Sequence, residues 1–199
     1  MLTLSQACQT IQTHRADHVV VTTMGAMNAT DKLSPPALTV ACVPLMGGAA
    51  SIGLGLALAR PERKVIVLDG DASLLMELGG LVSVAQAAPE NFVHVVMNNS
   101  VQFAGLGNLQ TPGHHSVDYP GMAKAAGYKA VYSFEDPQAF ENAIEDVLSG
   151  LSPAFVELRV SRDDATLGDD LPAVEMTDMR FTRMGDELRT IRQTLLGAL

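Results

Sequence analysis

Residues Leu68–Ser100 read LDGDASLLMELGGLVSVAQAAPENFVHVVMNNS. The apolar run Lys64–Asp69 leads into this stretch and ends in acidic residues around a glycine. A second apolar run, Asn91–Asn98, ends in a pair of asparagines. Neither run alternates polar with apolar, so each is expected to be a strand covered on both faces, as in a parallel sheet. The residues between them, Ala72–Ala88, are expected to be helical. Polar residues gathered at the carboxyl ends of two such strands stand where ligands bind in open α/β sheets.

The rest of the chain repeats the alternation. Strands are expected at His18–Thr23, Leu38–Val43, Lys129–Phe134 and Ala154–Val160, with helices at Leu4–Thr13, Gly47–Ala59, Tyr119–Ala126, Pro137–Leu148 and Arg180–Leu196. The Gly47–Ala59 segment is rich in small apolar residues and should pack closely on the sheet. Met24–Pro36, with Gly, Asn, Asp, Ser and two prolines, reads as loop, as does the long polar stretch Gln102–Val117. Ser161–Asp170 reads as a polar, acidic link. The fold class is therefore α/β, a doubly wound parallel sheet flanked by helices. It is expected as a single domain over residues 1–199, with a core over about 18–160 and a C-terminal helical extension over about 171–199.

Composition narrows the function. The chain has 199 residues, 47% hydrophobic and 18% charged, with a formal net charge of −9. That charge has the wrong sign for a general nucleic-acid binder. Cys8 and Cys42 form no disulfide framework and lack metal-ligand spacing, so both are expected as buried thiols. The N-terminal stretch has no basic segment followed by an apolar core, and no apolar run is long enough to span a membrane. A cytoplasmic location is expected.

The chemistry starts at Gly70–Ser73. A strand ends, the chain turns, and the first N–H groups of a helix become available to a phosphate. Gly70 and Ala72 are small enough for a ligand to approach the backbone. A carboxylate beside phosphate repels it unless a divalent cation lies between, and magnesium takes oxygen ligands shared with phosphates. Asp71, an asparagine oxygen from the next strand end, a backbone carbonyl, a water and two phosphate oxygens would complete an octahedron. Taken singly, GDA and NN are only turn signals; the pairing of the two strand ends carries the reading.

The pair resembles the cofactor signature of the thiamine diphosphate enzymes, a Gly-Asp-Gly followed some two dozen residues later by Asn-Asn or Asp-Asn. Here Asn99 follows Asp71 by 28 positions, and Ala72 stands where the family usually has Gly. The resemblance implies thiamine diphosphate and Mg2+ as cofactors. Asp71, the Asn99 side chain and the Val101 carbonyl would bind the metal, and Gly70, Ala72 and Ser73 would hold the diphosphate. Asn98 would anchor the loop. Upstream, PLMGGAASIGLGLALA resembles the family's wedge segment: Met46 would force the cofactor into its V shape, with the Met46–Gly47 backbone against the pyrimidine. The chain from Glu90 to Tyr128 resembles the sulfopyruvate and phosphonopyruvate decarboxylases in particular.

That resemblance implies a decarboxylase acting on a small anionic 2-oxo acid. On the polar loop, His114 and His115 are the candidates for touching the substrate or donating a proton during turnover, with Gln102 and Gln110 as weaker ones. The family's activating glutamate comes from a second domain that is not legible here, and Glu77 lies on the wrong element. It is expected on a separate α-type subunit, making the protein a hetero-oligomer. Two other readings stay open. One is a non-catalytic cofactor-binding subunit. The other is a nicotinamide-binding domain with Asp69 as ribose ligand, although the glycines at 47, 48, 53 and 55 do not spell G-x-G-x-x-G.

Overall fold

A computed structural model of the chain describes residues 1–33, 37–42, 45–105, 107–162 and 180–197. Six parallel strands form one sheet in the order β2-β1-β3-β4-β8-β7: β1 (Val19–Thr22), β2 (Thr39–Ala41), β3 (Val65–Gly70), β4 (Phe92–Asn98), β7 (Ala130–Phe134) and β8 (Ala154–Arg159). A short antiparallel hairpin, β5 (Val101–Gln102) and β6 (Leu109–Gln110), stands apart from it. The helices are α1 (Leu4–His14), α2 (Met24–Asp31), α3 (Gly48–Ala59), α4 (Asp71–Met76), α5 (Gly80–Ala87), α6 (Tyr119–Ala126), α7 (Pro137–Ser149) and α8 (Arg180–Leu196).

The apolar strands feed two cores, one per face. Val20, Ile66, Leu68, Val93, Val95, Val156 and Leu158 meet α1, α2 and α7 on one side. Val19, Val21, Val65, Val67, Val96 and Phe155 meet α3, α5, α6 and α8 on the other. This period of two with both phases apolar is why the strands showed no polar alternation. Small residues let α3 sit close: a Cβ on Gly53 would lie 2.3 Å from Val67 Cγ2 and 3.2 Å from a ring carbon of Phe92. Gly53→Ala must push α3 off the sheet, and a loss of about 1–3 kcal/mol is expected in denaturant melts despite alanine's better helix propensity.

Three expectations need correction. Met24–Asp31 is helix, not loop, because Ala26, Met27, Ala29 and Thr30 present a buried face that outweighs the turn-forming Gly25 and Asn28. Residues 34–36, 43–44, 106, 163–179 and 198–199 lie outside the described residues, and with them parts of the two expected loops, a strand, the acidic link and the C-terminal extension. The expected single helix over Ala72–Ala88 is two, α4 and α5, broken across Glu77–Gly79 where two glycines follow one another. The polar loop contains the β5–β6 hairpin. Cys8 and Cys42 are both buried free thiols. Edge strand β2 is covered by α8, whose Glu187 carboxylate accepts the Ala41 N–H at 2.8 Å. No helix among the described residues is long and apolar enough to cross a membrane.

Candidate cofactor and metal site

The sheet order reverses between β1 and β3, so a crevice is expected above their carboxyl ends. β3 and β4 are immediate neighbours in parallel register, with Gly70 opposite Met97. Asp71 and the Asn98–Asn99 pair therefore leave the sheet side by side, about one strand spacing of 5 Å apart.

Asp71 opens α4 and is only 2% exposed. Burial pushes its carboxyl up to about 6; hydrogen bonds from the Ala72 N–H, the Thr111 hydroxyl and the Ser100 N–H offset part of that rise. The Thr111 hydroxyl donates to Asp71 Oδ2 at 3.2 Å, while the Thr111 N–H donates to the Ser100 carbonyl at 3.0 Å. Thr111 thus joins the two strand ends. With six residues, α4 has little macrodipole, so what it offers an anion is its first N–H groups.

The asparagines divide their tasks. Asn98 donates to Glu157 Oε1 at 2.8 Å and accepts from the Ser100 N–H and hydroxyl at 3.1 and 3.2 Å, which anchors the loop. Asn99 Oδ1 accepts the Val101 N–H at 3.1 Å and keeps a second lone pair. Val101 pairs with Gln110 in the β5–β6 hairpin, beside the bond from the Thr111 N–H to the Ser100 carbonyl.

The upstream motif is tied to the same place. Gly47 has φ +87°, and a Cβ there would lie 2.6 Å from Glu77 Cβ, so the position demands glycine. The Gly47 N–H donates to Ser73 Oγ at 2.7 Å, linking the Met46–Gly47 turn to the first turn of α4. Ser73, only 1% exposed, thus has a structural partner besides any diphosphate. Ala72 is buried as well.

These residues fit a magnesium–diphosphate group. A buried carboxylate, an amide oxygen and a backbone carbonyl are hard oxygen donors of the kind magnesium takes. Asp71 has no cationic partner among the ion pairs of the described residues. Nearby, the buried Tyr119 hydroxyl has no hydrogen-bond partner among the described residues, and burial together with the charges of Asp71 and Glu157 raises its pKa.

The ribose role considered for Asp69 does not fit. Its carboxylate is buried, with Oδ2 3.2 Å from His94 Nε2 and Oδ1 accepting the Gly70 N–H at 2.8 Å. It braces the turn from inside. On the other flank of Asn99, a cleft of about 650 Å³ is lined by His114, His115, Glu157, Arg159 and Arg162. Gln102 and Gln110 do not line it. Thr111, Glu157 and the arginines were not singled out from the sequence, although one acid inside the apolar run AFVELRV is a signal that could have found Glu157.

A doubly wound sheet with a carboxylate–amide pair on adjoining strand ends defines a cofactor-binding α/β domain. The chain belongs to the thiamine pyrophosphate enzymes, matching their C-terminal TPP binding domain over residues 21–158. It is 41% identical over 118 residues to a phosphonopyruvate decarboxylase of Streptomyces viridochromogenes, covering 59% of this chain and 29% of that protein. It is 38% identical over 131 residues to the sulfopyruvate decarboxylase subunit beta of Methanothermobacter thermautotrophicus, covering 66% of this chain and 64% of that one. The chain thus spans less than two thirds of either relative. In fold it is similar to a thiamine diphosphate-dependent 4-hydroxybenzoylformate decarboxylase of Rhodococcus jostii, with a TM-score of 0.68 at 21% identity over 82% of this chain and 33% of that one.

Proposed function

We propose that the chain binds thiamine diphosphate with Mg2+ and serves as the diphosphate-holding subunit of a 2-oxo acid decarboxylase of the sulfopyruvate or phosphonopyruvate kind. The observation that carries this reading is the placement of Asp71 and Asn99 on adjoining strand ends, joined through Thr111. Asp71, Asn99 and the Val101 carbonyl hold the metal. Gly70, Ala72 and Ser73 present N–H and hydroxyl groups to the diphosphate, and Met46 and Gly47 meet the rest of the cofactor. When bound, the cofactor supplies a nucleophilic carbon for a 2-oxo carbonyl and an electron sink when CO2 departs. The chain's own residues bind and orient it, and His114 or His115 holds a proton for the product side. The glutamate that activates the pyrimidine comes from a separate α-type subunit. In support, exposed Leu45, Met76, Phe103 and Leu109 sit on the segments bordering the site, an apolar rim suited to a partner.

Calorimetric titration tests the reading. Thiamine diphosphate should bind in the presence of Mg2+ and fail to bind when the metal is chelated, whereas tight NADH binding would favour the nicotinamide reading instead. Met46→Ala should lower kcat in the assembled enzyme by about tenfold or more, since orientation of the cofactor is lost while its diphosphate anchor remains. Unchanged turnover would make Met46 a packing residue only.

A further inference from the structure

The polar loop carries no arginine, yet the fold delivers two to the cleft beside Asn99. Arg159 ends β8 and Arg162 follows it. Each is held at Nε by a fixed acceptor: Arg159 by Glu157 Oε2 at 3.2 Å, Arg162 by the Asn99 carbonyl at 3.2 Å. Glu157 is itself buried and shared with Asn98 and Ser133, so it acts as a rigid post. Among the described residues, no bond from the terminal nitrogens of either guanidinium is found, which leaves two planar forks facing one cleft.

A second, independent feature points to a ligand. His114 Nε2 is shielded from solvent without a hydrogen-bond partner, and the His114 and His115 rings lie 3.8 Å apart. A buried nitrogen of this kind is costly unless something else satisfies it. Among the described residues, Glu135 is the one acid besides Glu157 that lines the cleft. The volume of about 650 Å³ is that of a small-molecule site, in a chain whose net charge of −9 otherwise discourages anions.

We infer that this cleft is an oxyanion site in which Arg159, Arg162 and His114 bind a sulfonate or phosphonate group. Paired arginine forks match such oxygens in geometry and charge. The source of the group is either the head of the 2-oxo acid substrate, an assignment that rests on the function proposed above, or a free oxyanion acting as effector.

The test uses the full chain with methanesulfonate and methylphosphonate as probes, followed by nuclear magnetic resonance or calorimetry. Wild type should bind saturably, R159A/R162A at least about tenfold more weakly, and R159K/R162K in between, because charge is kept and the fork lost. Absence of saturable binding by wild type, or equal binding by R159A/R162A, overturns the inference. In the complex with its companion subunit, a substrate source predicts that kcat/KM falls at least about tenfold more for sulfopyruvate or phosphonopyruvate than for pyruvate. An effector source predicts that methanesulfonate alters pyruvate turnover by wild type but not by R159A/R162A. Arginine-dependent probe binding without any decarboxylation would sink the proposed activity and leave the cleft standing; decarboxylation with arginine-independent binding would do the reverse.

Discussion

Asp71→Asn is expected to stabilise the cofactor-free chain and to remove its magnesium-dependent binding of thiamine diphosphate. Burial holds the Asp71 carboxyl at about 6, above its ordinary 3.8. The folded state therefore keeps this proton more tightly than the unfolded chain does. As pH rises from about 4 through 6, the unfolded carboxyl ionises first, and stability falls across that window. A rise of about two units corresponds to a penalty of at most about 3 kcal/mol at neutral pH. Asparagine has the same shape without the charge, so a rise in Tm of several degrees, about 5 °C, is expected at pH 7.5 and little change at pH 4. The same substitution would delete the proposed charged metal ligand, and affinity for the cofactor with Mg2+ should fall by about 100-fold or more, as expected for loss of a ligand plus its charge. Because metal must displace the proton, wild-type affinity should itself drop about tenfold per unit below pH 6. A destabilised D71N, or one that titrates like wild type, would contradict this account of the buried acid.

The second large effect concerns assembly. The chain alone should be almost inactive toward sulfopyruvate, phosphonopyruvate or pyruvate, and addition of its companion subunit should raise CO2 release by about 100- to 10,000-fold, the usual worth of a positioned proton-transfer group. The reason lies in what the described elements carry around the crevice. On the proposed reading Asp71 and Asn99 serve the metal; Asp69 is turned inward to His94. Glu77 packs its Cβ and Cγ against Gly47, at the end of α4, and Glu157 is shared among Asn98, Ser133 and Arg159. Each of these acids is already engaged within this chain, so the proposed reading assigns the pyrimidine-activating acid to the companion subunit. Full activity without a companion would mean that one of them, or an acid in the segments outside the described residues, supplies that proton.

The β3 and β4 strands could be read because their residues are β-branched and apolar in both phases, and the polar residues at their ends broke that rule in the same place. Local chemistry sufficed there. It misled at α2, where Gly25, Asn28 and Asp31 signal a turn but burial of Met27 and its neighbours decides for helix. It also ran past the break after Met76, since each half of Ala72–Ala88 has helical patterning of its own. The site's supports were beyond a one-dimensional reading because their partners are distant in sequence. Thr111 meets Asp71 across 40 residues, Ser73 meets Gly47 across 26, and Asn98 meets Glu157 across 59. Only the folded sheet brings Arg159 and Arg162 beside the loop that holds Asn99.

The most direct test of the central claim is a crystal structure of the assembled protein with thiamine diphosphate and Mn2+ in place of Mg2+, located by anomalous scattering. The account predicts one manganese peak at the carboxyl ends of β3 and β4, bonded at about 2.2 Å to the Asp71 carboxylate, the Asn99 side-chain oxygen and the Val101 carbonyl, with the diphosphate over Gly70–Ser73. A peak held by other residues, or cofactor bound without metal at Asp71, would contradict it.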